Sequence, residues 1–287
     1  MIIDVIRGDL ISSILGECGR SRIFLSAKKG NMPLPNPKPM PPWLQTIDTC
    51  PSTNRIALDR ANDLHHGDAI FTRNQTAGRG QRNRVWHSPA GVITVSFVMQ
   101  ALKPEQLSLL SFSVGLAIIE TIETLIPKLI TVPMLKWPND VLIHDRKVSG
   151  ILCETRSSLP TTAIIGIGLN LDATFDKSVL DSHTNPISLH EVVATVPNDL
   201  TVLDCLRQCL LRRVKPIDSP LDSQSLIRQV RSRDALYGRS LEFEQPNGRQ
   251  IVGIGRGIHS SGGLLIEGTD GQITPYSLGR VTRWKSV

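Results

Sequence analysis

The sequence predicts an α+β protein, in which a mixed sheet with flanking helices is followed by a small C-terminal β-barrel. Three observations predict it. Val92–Gln100 alternates, with Ile93, Val95, Phe97 and Met99 on one side and Thr94, Ser96 and Gln100 on the other, the period of a strand with one buried face. Leu107, Leu110, Val114, Ala117, Ile118, Ile122 and Leu125 recur at helical spacing over Glu105–Ile126, a long core helix stopped by Pro127. After about Tyr237 short strand candidates take over: Leu241–Phe243, Gln250–Ile258, Leu264–Glu267, Ile273–Tyr276 and Val281–Trp284. They are separated by the turn signals Asn247-Gly248, Ser261-Gly262-Gly263 and Asp270-Gly271.

The remaining elements fit between these. Ile56, Ala57, Ala61 and Leu64 form one face of a helix over Ser52–Leu64, with Ser52 or Thr53 as its N-cap hydroxyl. Asp68–Thr72 and Ala163–Leu169 read as strands. Val141–His144 and Lys147–Glu154 read as a hairpin about Asp145-Arg146, which argues against a purely parallel sheet. Leu203, Leu206, Leu210 and Val214 mark a further helix. Upstream, Val5, Leu10, Ile14 and Leu15 approximate one face of a short helix within residues 1–31. Met32–Pro42 then holds six prolines, an extended linker or wrapping arm. The organisation is therefore an N-terminal extension with its proline-rich linker (1–42), a main domain (43–236) and the small barrel (237–287).

With 40% apolar and 20% charged residues in 287, the chain has ample material for a core and is not disordered as a whole. A net charge of +6 suits nucleic acid, anionic small molecules or an acidic protein partner. Dispersed arginines and only 4% aromatic residues disfavour the first. Asp4, Asp9 and Glu17 interrupt the N-terminus where a signal peptide needs an apolar core, and no stretch of about 18 apolar residues is seen. No membrane span is expected, and the five cysteines, without a CxxC pair, read as free thiols in a reducing cytoplasm. Cys205 and Cys209, one helical turn apart, read as core residues.

Four segments carry the chemistry. Gln75-Thr76-Ala77-Gly78-Arg79-Gly80-Gln81-Arg82-Asn83-Arg84 is a glycine- and arginine-rich mobile loop whose N–H groups and guanidinium forks suit an anion, although an exposed basic turn would look the same. It matches neither the Rossmann fingerprint nor the Walker A spacing. Lys136-Trp137-Pro138-Asn139-Asp140 gathers a cation, an amide and a carboxylate at a proline bend, suited to phosphate, base and metal. In Arg146–Leu152, Lys147 and Ser149 share a strand face and Gly150 leaves room for close approach; Lys147 is either an edge gatekeeper or a functional cation. Gly166-Ile167-Gly168-Leu169-Asn170-Leu171 is a small-residue strand ending in an amide, compatible with a ligand ring or with plain close packing.

With Ser52-Thr53-Asn54 upstream, these pieces occur as STN, QTAGRGQRNRVWHSPAG, KWPNDV, RKVSGIL.E and GIGLNL, an order and spacing that resembles the biotin–protein ligase family from about Trp43 to the C-terminus. The resemblance implies a class II synthetase-like catalytic domain and an SH3-like C-terminal barrel. It implies an ATP-dependent ligase that forms biotinyl-5′-AMP and passes biotin to a lysine of a biotin carboxyl carrier domain, as in acetyl-CoA carboxylase. A lipoate or octanoate ligase or transferase of the same fold is the alternative, and a biotin-sensing DNA-binding module the second.

Residue by residue, the resemblance implies catalytic roles for Lys147 and Arg79. Biotin is expected at Ser52, Thr53, Asn54, Gln75, Gly78, Arg79, Gly80, Gln81 and Lys147, with Gly150 and Gly168 leaving room for its bicyclic ring. ATP is expected at Arg82, Arg84, Lys136, Asn139, Asp140 and Asn170, with Asp140 orienting Mg2+ directly or through water. Trp86 is expected to pack the base of the loop, and Cys153 to carry no chemistry. Gln81 stands where many family loops carry an arginine, and Asn83 where they carry a glycine, which implies weaker retention of the adenylate. About forty residues before Trp43 are too few for the winged helix-turn-helix of bifunctional members, so no DNA binding is expected. Monomer and homodimer both remain open.

Overall fold

A computed structural model describes residues 40–156, 161–176, 178, 185–214 and 220–286. The short helix expected within residues 1–31 and most of the proline-rich stretch lie outside the described residues. The main sheet is built from β1 (Leu44–Ile47), β2 (Ala69–Thr72), β3 (Val92–Leu102), β4 (Met134–Lys136), β5 (Asp140–Ile143), β6 (Arg146–Arg156) and β7 (Thr161–Asn170), in the order β1-β2-β3-β7-β6-β5-β4. The β1–β2 pair is parallel and the other pairs are antiparallel, so the sheet is mixed.

β3 departs from the expected half-buried strand: Val92 to Met99 are buried on both faces. The reason is a second layer. Ile93, Val95, Phe97 and Met99 join the large core around helix α2 (Leu110–Leu125), while Val98 joins Ala57, Ala61, Leu64, Ile70 and Ile164 in a smaller core. Helix α1 (Thr53–Asp59) covers that second face and is shorter than expected; Ser52 caps it, and Ala61 and Leu64 reach the core from the turns that follow. The polar residues Thr94 and Ser96 are thereby buried without being core filler.

The long helix begins later than Glu105. Pro104 opens a 3-10 turn over Pro104–Leu109, and the α-helix starts at Leu110. Gln106–Leu125 has the length and hydropathy of a membrane-crossing helix, a test that the buried core helix of a folded protein also passes. Its apolar surface is buried in the protein, under the sheet and against α3 (Asp199–Arg213). The β5–β6 turn is His144-Asp145 rather than Asp145-Arg146: both residues have positive φ (52° and 57°), as a two-residue hairpin turn requires, and Ile143 pairs with Arg146.

α4 (Pro220–Ser232) leads to five antiparallel strands, β8 (Ser240–Glu244), β9 (Gln250–Ile258), β10 (Leu264–Glu267), β11 (Ile273–Tyr276) and β12 (Arg280–Lys285), in the order β11-β10-β9-β8-β12. All five C-terminal strands read from the sequence are present. Leu241, Phe243, Leu264, Ile266 and Val281 form the apolar face of this sheet. Trp137, which precedes a cis bond to Pro138, packs 5.9 Å from Phe243 and donates its indole N–H to Gly262 O at 3.1 Å.

Asp234 sits where α4, β4 and the second sheet meet. One of its oxygens accepts the Leu236 N–H at 2.9 Å and the other, Oδ2, is buried without a partner. Burial pushes its carboxyl up to about 6, against the opposing pull of the Leu236 N–H and Arg239. A raised carboxyl stabilises the fold fully below the ordinary aspartate range, and that contribution is lost as pH rises through about 6. Asp234→Asn, which does not titrate, should therefore gain on the native protein by up to about 3 kcal/mol between pH 4 and pH 7.5. Urea unfolding of both proteins at the two pH values measures this, and a pH-independent difference would contradict it.

Candidate active site

The N-terminus of α1, the middle of β3 and β7, the start of β6 and the segment 75–87 enclose a cleft of about 330 Å³, within the range of small-molecule sites. Ser52, Thr53, Asn54 and Gln75 lie along one wall. Arg79, Gly80, Gln81 and Arg84 come from the loop, and Asn139, Lys147, Gly150, Gly168 and Asn170 from the sheet. The structure thus brings together thirteen of the residues expected to contact ligands. Gly78, Arg82, Lys136 and Asp140 are not among those lining this cleft.

Arg82, Lys136 and Asp140 line a smaller adjoining cleft, bounded on its far side by Gly279, Arg280 and Trp284 of the second sheet. Gln81, Arg84, Asn139 and Lys147 border both clefts. Gly78 is structural: any side chain there would run into the Trp86 carbonyl and the Gln75 amide.

The glycine–arginine segment is a folded hairpin. Gly80 N–H donates to Arg84 O (2.7 Å), Trp86 N–H to Gly78 O (2.9 Å), and Gln81–Asn83 make one 3-10 turn with Arg82 in the left-handed region (φ 57°). Arg82 turns out of the main cleft and donates to Gly279 O at 2.6 Å, tying the loop to the second sheet.

Lys147 reaches the cleft through an irregularity in β6. Val141 pairs with Ser149 but Leu142 with Lys147, so Val148 is an extra residue and the alternation slips. Lys147 and Gly150 consequently line the cleft together, whereas Ser149, expected beside Lys147, is buried and donates its hydroxyl to Gly168 O (2.7 Å). Lys147 Nζ lies 2.5 Å from Asp140 Oδ1 and 5.3 Å from the Trp86 ring centre, and Lys136 Nζ lies 3.7 Å from Asp140 Oδ2 and 4.2 Å from the Trp284 ring centre.

Burial opposes the charge on Asp140, but Lys147 and Lys136 outweigh it and hold the carboxyl below its usual range. Burial lowers the Lys136 ammonium, with Asp140 opposing the shift. The expected metal role of Asp140 does not fit these neighbours: its two oxygens face two ammonium groups, and among the described residues no three His, Cys, Asp or Glu gather as a metal site. The residues present do not build a resident Mg2+ site.

Arg79 is held by Glu154, the last residue of the RKVSGIL.E segment, to which the sequence reading gave no role. Its Nη2 lies 3.0 and 3.1 Å from the two oxygens of Glu154, which also accepts from Asn54 Nδ2 at 2.8 Å. The signal was available, since Glu154 stands four residues after Gly150 and so shares its strand face.

The glycines do a different task from the expected one. A methyl group on Gly150 would lie 2.8 Å from the Trp86 ring, one on Gly168 would overlap that ring, and one on Gly166 would overlap Asn54 Oδ1. The room at Gly150 and Gly168 is thus filled by Trp86, which forms a wall of the cleft rather than only the base of the loop. Asn139 Nδ2 donates to Ile151 O (2.6 Å), and Asn170 Nδ2 to Lys147 O and Ile187 O (both 3.0 Å), so their amide donors brace backbone around Lys147. Cys153 stays a thiol, since burial pushes it up to about 12.

Residues 46–170 match the model of the biotin/lipoate A/B protein ligase family. The chain is 31% identical over 236 residues to the biotin–[acetyl-CoA-carboxylase] ligase of Paracoccus denitrificans, covering 78% of this chain and 94% of that protein. It is 31% identical over 240 residues to the bifunctional ligase/repressor BirA of Escherichia coli, covering 80% and 71%. Among solved structures, the biotin protein ligase of Aquifex aeolicus in complex with biotin and ATP shares the fold at a TM-score of 0.66 and 23% identity, over 85% of this chain and 99% of that one. With this identity and coverage, the chain belongs to the biotin/lipoate A/B protein ligase family and stands among its biotin–protein ligases.

Proposed function

We propose that the protein is an ATP-dependent biotin–protein ligase that makes biotinyl-5′-adenylate and passes biotin to a lysine of a biotin carboxyl carrier domain of acetyl-CoA carboxylase or a related carboxylase. The observation that carries the reading is that Arg79 and Lys147 line one cleft, each already paired with a carboxylate, Glu154 and Asp140. A cation so paired can exchange its protein partner for a ligand anion without being left bare in a partly buried site.

In this reading biotin lies in the larger cleft, with its carboxylate toward Lys147 and Arg79. ATP spans into the adjoining cleft past Arg84 and Lys136. The carboxylate oxygen attacks the α-phosphorus, the bond from that phosphorus to the α,β-bridging oxygen breaks, and pyrophosphate leaves with the bridging oxygen and the electron pair. Lys147 stabilises the charge that grows on the α-phosphoryl oxygens. In the second half-reaction the carrier amine attacks the acyl carbon, and AMP leaves with the electron pair of the broken anhydride bond. Mg2+ is read as arriving on the phosphates of ATP, which suits a cation that keeps most of its water. The lipoate alternative is disfavoured because the relatives at 30% identity or more include ligases named for biotin. All four described cysteines are free thiols, which agrees with a reducing cytoplasm.

Lys147→Ala should cut biotin-dependent pyrophosphate release by about 10²–10³-fold, the usual cost of deleting one transition-state donor. Pyrophosphate production within tenfold of wild type would remove the assigned role. Gln81→Arg adds a cation at the border of the two clefts and should slow dissociation of preformed adenylate by about tenfold, equivalent to about 1.4 kcal/mol. A chase with unlabelled adenylate reads this, and an unchanged half-life would show that Gln81 does not set retention.

A further inference from the structure

Beneath the cleft, Glu154, Asn54, Ser96 and Thr53 form an unbroken chain of side-chain hydrogen bonds, which Gln75 joins by accepting the Thr53 backbone N–H. We infer that Ser96, together with Asn54, fixes the hydrogen-bond polarity of Thr53, so that the cleft floor presents an acceptor at Thr53 and a donor at Gln75 and selects a cyclic urea. This inference rests on the biotin reading and deepens it.

The argument is one of counting protons. Asn54 Nδ2 lies 3.1 Å from Leu152 O and 2.8 Å from Glu154 Oε2, groups that accept only, so its amide has a single orientation and Oδ1 faces Ser96. Ser96 is fully buried, and its Oγ lies 2.6 Å from Asn54 Oδ1 and 2.7 Å from Thr53 Oγ1. A hydroxyl has one proton, and Asn54 Oδ1 cannot supply one, so the Ser96 proton goes to Asn54. The short contact between the two hydroxyls then takes its proton from Thr53, in preference to the longer 3.3 Å contact with Gln75 Oε1.

Thr53, which lines the cleft, is left with lone pairs and no proton for a ligand. Gln75 Oε1 accepts the Thr53 N–H at 2.9 Å, which leaves the Gln75 Nε2 protons as donors. An acceptor and a donor side by side match the N–H and C=O of a urea. Gly166 is part of the device, because any side chain there would occupy the place of Asn54 Oδ1. Ser96 acts through Thr53 and touches no ligand, so it is a positioning residue.

The test compares biotin with the two cyclic carbamate analogues in which one or the other ureido N–H is replaced by oxygen, a near-isosteric exchange of a donor for an acceptor. Wild type should prefer biotin over one analogue by on the order of 10²-fold in kcat/KM, because two acceptors then face each other. In Ser96→Ala the Thr53 hydroxyl is free to turn and donate. The KM for biotin should rise about tenfold, with the change falling on KM rather than kcat, and the preference should shrink at least tenfold. Thr53→Ser, which keeps the hydroxyl, should keep the preference; Thr53→Val should lose it and serves if Ser96→Ala does not fold.

Equal losses for biotin and both analogues in Ser96→Ala, or an unchanged preference in it or in Thr53→Val, would overturn the polarity relay while leaving the ligase reading intact. Failure of wild type to bind biotin at all would overturn that reading and the relay with it.

Discussion

The pairing of Arg79 and Lys147 with carboxylates on the sheet is the constraint around which the cleft is arranged. Arg79 comes from a glycine-rich hairpin and Lys147 from a bulged strand, yet both end on side chains of the central sheet, Glu154 and Asp140. Without those partners, Lys136, Lys147 and Arg84 would crowd one another at the border of the two clefts, and part of that charge would be buried. Removing one member of such a pair generally costs more than the pair contributes, because an uncompensated charge remains. The same pairing holds Arg79 and Lys147 in place within the cleft. In the proposed reading, a carboxylate or phosphate entering the cleft replaces an existing partner instead of ordering two flexible chains from solution.

The second sheet belongs to this arrangement and is not an appendage. Trp284 lies under Lys136, and Gly279 accepts from Arg82 at the tip of the loop. Trp137, one residue after Lys136, is packed against Phe243 and hydrogen bonded to Gly262. The cations of the smaller cleft are consequently positioned from both sides, by the hairpin and by the C-terminal strands. Phe243 in turn occupies the space beside Gly279, where any side chain would collide with its ring. The apolar core of the second sheet and the place at which the loop is tied are thus set by the same few residues.

Much of the fold was legible because the relevant signals are local. The five C-terminal strands follow from alternation between turn residues, and α3 from the spacing of Leu203, Leu206 and Leu210. Apart from the 13-residue helix α4, what was missed is not local. β1 and β4 are four and three residues long and take their form from neighbours across the sheet. The burial of Thr94 and Ser96 depends on α1, which folds over them from forty residues upstream. In the site, thirteen of the positions that the family resemblance singled out line one cleft, whereas the bulge at Val148 could not be read from a strict alternation. That bulge separates Lys147 from Ser149, and it decides which of the two lines the cleft. Glu154 was readable from strand parity, but a carboxylate beneath an anion site looks like a contradiction until its arginine is seen beside it.

Trp86 shows how the glycines and the bulge act together. Gly150 and Gly168 are partners in neighbouring strands, and their missing side chains make a shallow trough across β6 and β7. The indole fills the trough and lies under the ammonium of Lys147, so the lysine rests on an apolar plate that limits its hydration. A weakly hydrated ammonium interacts more strongly with an incoming anion than one in open water. The indole leaves a cleft of about 330 Å³ beside it, so it acts as a wall and not a plug. A side chain at either glycine would displace that wall and, with it, the surface on which Lys147 is set. The small residues of β6 and β7 therefore govern the position of a charge that neither of them touches through a side chain.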